Sequence, residues 1–178
     1  MYPQPYLDYL VLFHAERDYF ECHEILEEYW KSAPPAERKL IWVGLIQIAV
    51  GLYHQRRGNQ AGALKMIGNA VKLVRQHQSE LQELGLDAPA LIARLEKRLD
   101  DLNKGVPYVS LDLPMIAPDL LEAYKQACIS QNLTPYRPSD MANSYLLNKH
   151  TLRDRQDVIE ERMRQLKHRQ AQRNSQAT

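Results

Sequence analysis

Apolar residues recur along most of this chain at helical spacing, and hardly anywhere at the two-residue spacing of a strand. Residues 6–31 read as one long helix, entered through Pro3 and Pro5 and stopped by Pro34 and Pro35. Residues 36–57 form a second. Its apolar positions, among them Leu40, Ile41, Val43, Leu45, Ile48, Val50 and Leu52, run nearly all round, which places it at the centre. Gly44 and Gly51 share one stripe with Gln47 between them. Glycine weakens a helix, so a closely approaching neighbour is expected there. Gly58 suits a left-handed cap in the turn Arg57-Gly58-Asn59. A third helix follows over about 60–83, with Leu64, Ile67, Val71, Val74 and Leu81 on one face. Asp87 is placed to cap a fourth, which runs through Leu91, Leu95, Leu99 and Leu102 to Gly105. The pattern predicts an all-α fold, an up-down bundle of about four core helices with short links.

The character changes after Gly105. The stretch VPYVSLDLPMIAP holds three prolines, so residues 106–117 are expected to wrap across the bundle in extended form. Val106, Tyr108, Val109 and Leu111 are its expected anchors. A helix over 118–131 comes next, then the break TPYRPSD, with Ser139 placed to cap a final helix. Residues 151–173 are heavily charged and carry a thin stripe of Leu152, Ile159, Met163 and Leu166, so that helix is expected to pack weakly. On this reading the chain divides into a bundle domain at 1–105 and an extension at 106–178.

One segment breaks the apolar logic. In FECHEILEEYW, residues 20–30, His23 and Glu27 fall on the same arc as Tyr19, Phe20, Leu26 and Trp30. A carboxylate inside an apolar stripe is costly unless something satisfies it. Glu24 sits at the margin of that arc, and Gln47 and His54 share a stripe of the second helix. If the first two helices form a hairpin, His23, Glu24, Glu27, Trp30, Gln47 and His54 make a polar centre. Its first reading is a satisfied hydrogen-bond network that fixes helix register, with His23, Glu27 and Gln47 buried within bonding reach of one another. Its second is a divalent-metal site on His23, Glu27 and His54, with Glu24 as a fourth ligand. The two-histidine grip of H-E-x-x-H is missing, because Glu27 stands where the second histidine would be. Cys22 and His23 are adjacent on a helix and point about 100° apart, so they form no nucleophile–base dyad.

Composition narrows the rest. The chain has 178 residues, 44% of them apolar and 25% charged, ordinary values for a soluble domain. Net charge is +1, which implies no general attraction to nucleic acid or anionic membrane. The seven Lys/Arg of residues 151–178 are interleaved with four Asp/Glu, the pattern of a solvated face rather than a phosphate-binding one. Two cysteines outside any C-x-x-C motif, and no leader-like start, fit a cytoplasmic protein. The greasiest run, IWVGLIQIAVGLY, is too short to cross a bilayer.

Three ordered motifs, HEILEEYW, GLIQIAVGLYH and RGNQAGALK, resemble the uncharacterised, mainly bacterial family called domain of unknown function 309, over about residues 12–75. The family's His-Glu-x-x-Glu-x-x-Trp matches His23, Glu24, Glu27 and Trp30. Its Gly-Leu-x-Gln matches Gly44, Leu45 and Gln47, and its histidine position is His54. Its turn falls on Gly58, Asn59, Gly62 and Ala63. The resemblance implies a small helical bundle with no established activity. The expected function is therefore a non-enzymatic scaffold or partner-binding module, with another protein or a second copy of the chain as partner and no cofactor. The alternatives are a metal-dependent protein built on the polar centre and a nucleic-acid accessory using residues 149–173.

Overall fold

The computed structural model describes residues 1–152, and those residues form an all-α fold with no strand. Contacts group Met1–Leu147 into one compact unit and Asn148–Thr178 into a second. The division expected at 105/106 thus marks a change of backbone character inside the first unit. The expected weak packing of the helix after Thr151 lies outside the described residues beyond Leu152.

The stretch expected as one helix over 6–31 is two. Helix α1 (Gln4–Val11) widens into a π-helical turn at Leu12–Glu16, and Arg17 then takes a left-handed conformation with φ +57°. Asp18 restarts the chain as N-cap of α2 (Tyr19–Ser32), its carboxylate accepting from Glu21 N at 3.1 Å. The signal was present in the sequence. Asp18 and Glu21 have the spacing of a capping box, hidden by an apolar stripe that continues across the break.

After a single 3₁₀ turn at Pro35–Glu37 comes α3 (Leu40–Arg56), the central helix, packed between α2 and α4 (Gln60–Gln76). Its fully buried Leu45, Ile48, Ala49 and Leu52 belong to one continuous core. The paired glycines have the expected role. A Cβ on Gly51 would lie 2.6 Å from Ile67 Cδ1 and 3.3 Å from Ile67 N, and one on Gly44 would lie 3.3 Å from Leu73 Cβ. Ile67 is fully buried and has nowhere to retreat. Gly51→Ala is therefore expected to destabilise the protein by about 1–3 kcal/mol through overpacking, despite the better helix propensity of alanine. A denaturation midpoint equal to or above that of the parent would refute the close approach.

The third predicted helix is also divided. Helix α4 ends at His77, whose φ of −121° departs from helical geometry, and α5 (Gln78–Glu83) follows. Helix α6 (Ala88–Asn103) packs on α4 and is capped by Asp87 as expected, Ala90 N donating to its carboxylate at 2.9 Å. Residues 106–117 run without regular structure and meet the bundle at an isolated bridge between Leu86 and Met115. Of the expected anchors, Leu111 is buried and Tyr108 packs half-buried against the core, whereas Val106 and Val109 are exposed; Leu113 and Met115 are further buried anchors. Helix α7 (Pro118–Ser130) returns to pack on α1. Asn143, not Ser139, caps the short α8 (Ser144–Leu147), accepting from Leu146 N at 3.0 Å. In the second unit α9 spans Lys149–Leu152. No helix of the described residues is long and apolar enough to cross a membrane.

Candidate functional site

The expected polar centre is only partly assembled. On α2, His23 Nδ1 lies 3.1 Å from a Glu24 oxygen, and His23 Nε2 lies 3.4 Å from a Glu27 oxygen. Glu27 also meets Lys31 at 2.9 Å. These side chains are not buried: His23 is 31% exposed and Glu27 36%. The bond to Glu24 raises the His23 pKa above 6.5; burial opposes it and the Glu27 charge adds to it. The correction has a plain cause. Helical phase placed the pair toward the core, but phase alone does not specify what lies opposite, and α2 leaves both side chains about one-third exposed. A pair this open is weak. Glu27→Ala is expected to change unfolding free energy by less than about 1 kcal/mol, not the larger loss of a buried network. A loss above that in a denaturant titration would show that the pair is buried in solution.

Gln47 joins none of these groups by a hydrogen bond; its carbonyl oxygen is buried without a partner. His54 is engaged elsewhere. Asn59 Nδ2 donates to His54 Nδ1 at 3.1 Å while Asn59 Oδ1 caps α4 through Gly62 N at 3.0 Å. A Cβ on Gly62 would come within 2.9 Å of the His54 ring, and Gly58 has φ +78°. His54, Gly58, Asn59 and Gly62 thus explain one another as the α3–α4 turn. Burial and then Arg57 lower the His54 pKa. Among the described residues no three His, Cys, Asp or Glu side chains are grouped to hold a metal ion. The metal reading of His23, Glu27 and His54 lacks its geometry.

The buried polar chemistry sits instead in residues that the sequence reading passed over. Arg17 is 2% exposed. Its guanidinium donates to Arg137 O at 2.7 Å, to Leu111 O at 2.8 Å and to Asp112 at 2.6 Å. Breaking α1 from α2 leaves carbonyls without helical partners. Arg56, at the end of α3, answers that need by donating to Arg17 O at 2.7 Å, with its guanidinium 4.6 Å from the centre of the Tyr19 ring. Tyr19, Tyr108 and Ser139 are linked by hydroxyl contacts of 2.7 Å each. Arg98 donates to Gln55 at 3.0 Å and to Val109 O at 2.8 Å. His14 accepts from Leu113 N at 2.9 Å. Together these groups tie the extended segment and the loop at 134–139 to the bundle. A signal existed: Arg17, Arg56 and Arg98 all continue apolar stripes, as in Leu91, Leu95, Arg98, Leu102.

Trp30, the last member of the predicted centre, lies beside a different feature. Its Nε1 is buried without a partner and the Arg38 guanidinium sits 5.0 Å from its ring centre. Next to it a cleft of about 160 Å³ opens between Tyr29, Trp30, Arg38 and Trp42. A larger cleft of about 400 Å³ shares Tyr29, Lys39 and Trp42 with it and adds Tyr2, Glu83 and Asp119. The Tyr29 and Trp42 rings meet edge to face at 5.3 Å, and Tyr2 OH donates to Asp119 at 3.0 Å. A separate cleft of about 310 Å³ lies between Glu16, Asp18, Arg137 and Tyr145.

Comparison with known proteins adds kinship. No solved structure matches the chain. It is 45% identical over 174 residues to the uncharacterized protein YpuF of Bacillus subtilis (strain 168), an alignment covering 98% of this chain and 100% of that one. The kinship thus reaches through the extended segment and α7, well past the motifs. The family described as domain of unknown function (DUF309) matches residues 6–66, which hold the α2 motif, the α3 glycines and the α3–α4 turn. By that match and that relative, the chain belongs to the DUF309 family.

Proposed function

We propose that this protein is a non-enzymatic, cytoplasmic helical module that binds a protein partner through the adjoining aromatic clefts beside α2 and α3. The observation that carries the reading is the gathering of Tyr2, Tyr29, Trp30 and Trp42 around two adjoining clefts. Large amphipathic rings at a concave surface are what protein interfaces use as anchors. Two further points support it. Cys22 and Cys128 are both buried, and burial pushes both thiols up, away from the reactive thiolate. His23, a half-buried imidazole, is engaged by two carboxylates of its own helix.

Site-specific photo-crosslinking in cells tests the proposal. A photoreactive residue at Lys39, on the rim of both clefts, should yield a discrete protein adduct. The same residue at Lys97 on α6 should not, and Tyr29→Ala should abolish the Lys39 adduct. Equal labelling from both positions, or none from Lys39, would overturn the reading.

A further inference from the structure

The larger cleft combines two chemistries. Tyr2, Tyr29 and Trp42 supply aromatic lining, and Glu83 and Asp119 supply carboxylates at an exposed rim, which Lys39 and Met1 with its amino group share. Asp119 is held in place by the Tyr2 hydroxyl at 3.0 Å, which occupies only one of its oxygens. Rings beside carboxylates attract an organic cation: the ring quadrupole and the anions act in the same direction, and partial burial strengthens both. A guanidinium fits better than an ammonium, because it is planar, stacks on rings, is weakly hydrated and pairs with a carboxylate through two donors. We infer that this cleft receives an arginine side chain presented by the protein partner, stacked among Tyr2, Tyr29 and Trp42 and paired with Glu83 and Asp119. The inference rests on the binding-module reading above and names the chemistry that the partner must present.

The full chain can be titrated with the capped tripeptide Ac-Gly-Arg-Gly-NH2 and with its citrulline counterpart, which has nearly the same shape and no charge. The protein has two tryptophans, and both line these clefts, so tryptophan fluorescence, excited selectively over tyrosine, reports on this region alone. Saturable binding of the arginine peptide is expected, with the citrulline peptide about tenfold or more weaker. Glu83→Gln and Asp119→Asn should each weaken arginine binding several-fold. Lys39→Met should tighten it, since it removes a like charge. Both carboxylate changes are at exposed positions, and unchanged circular dichroism will verify folding. Equal binding of citrulline, indifference to all three charge changes, or no saturable binding of arginine would each overturn the inference. If arginine binding fails while the Lys39 adduct persists, the module reading stands and only the ligand chemistry is wrong. If both fail, both readings fall.

Discussion

Arg17→Ala is expected to destabilise the protein by about 3–5 kcal/mol. The Arg17–Asp112 pair itself contributes little of this, because Asp112 is 45% exposed and rehydrates. The loss comes from the carbonyls of Leu111 and Arg137, which give up their donors at sites that are wholly or partly buried. Each orphaned group costs about 1–3 kcal/mol, and removal of a large buried side chain adds a cavity. For a protein of this size the melting temperature should fall by roughly 6–20 °C. Two companion variants separate the causes. Arg17→Gly loses the same bonds but relieves the left-handed backbone at φ +57°, and should recover about 1 kcal/mol. Arg17→Lys keeps the charge but not the fork of donors, and should remain clearly destabilised. The measurement is urea denaturation followed by circular dichroism. A loss below about 1 kcal/mol for Arg17→Ala would show that the extended segment does not depend on this residue.

His14 should make stability fall steeply between pH 6.5 and about 4. Leu113 N–H donates to Nε2, so the proton of the neutral ring sits on Nδ1 and is donated to Leu10 O at 3.0 Å. Both ring nitrogens are satisfied only in that neutral form, and protonating Nε2 sets a second N–H against that of Leu113. The pKa is lowered from 6.5 to about 4, chiefly by burial, with Arg17 and Arg94 adding to the effect and the Leu10 carbonyl and Asp112 opposing it. A histidine depressed on folding contributes stability that is fully present above its unfolded pKa. That stability is lost as pH falls from 6.5 through about 4, and amounts to about 3 kcal/mol. His23 has the opposite sign: its raised pKa contributes stability below 6.5, which is lost as pH rises through the folded value. The test compares the parent with His14→Gln, which does not titrate and does not alter His23. The stability gap between them should be widest at pH 7 and shrink by about 3 kcal/mol at pH 4. A gap independent of pH would mean that His14 is protonated in the folded protein or is not buried in solution.

The residues themselves differ in how much of this was legible. The central α3, the Gly58 turn, the Asp87 cap and the close approach at Gly44 and Gly51 were all readable, because each depends on a few consecutive residues or one helical stripe. The break at Arg17 and Asp18 was readable in its cap and missed in its stripe, since apolar periodicity continues across it. His23 and Glu27 show the converse. Their spacing correctly placed both on one face and within contact, but exposure depends on what lies opposite, and a helical phase does not specify its neighbour.

The same boundary separates the two determinants of this protein. Helical periodicity, glycine placement and capping residues settled the class of fold, the central place of α3 and the face on which a neighbour approaches it closely, because those features arise from interactions between residues near in sequence. Tertiary structure alone decided which polar groups are buried. Arg17 meets Leu111, Asp112 and Arg137 across about a hundred residues of chain, and His14 meets Leu113 across as many. The aromatic cleft likewise draws Tyr2, Tyr29, Trp42, Glu83 and Asp119 from α2, α3, α5, α7 and the start of the chain. No local pattern encodes such meetings. They follow from where the folded helices leave backbone groups in need of a donor, and from the space that their packing leaves open.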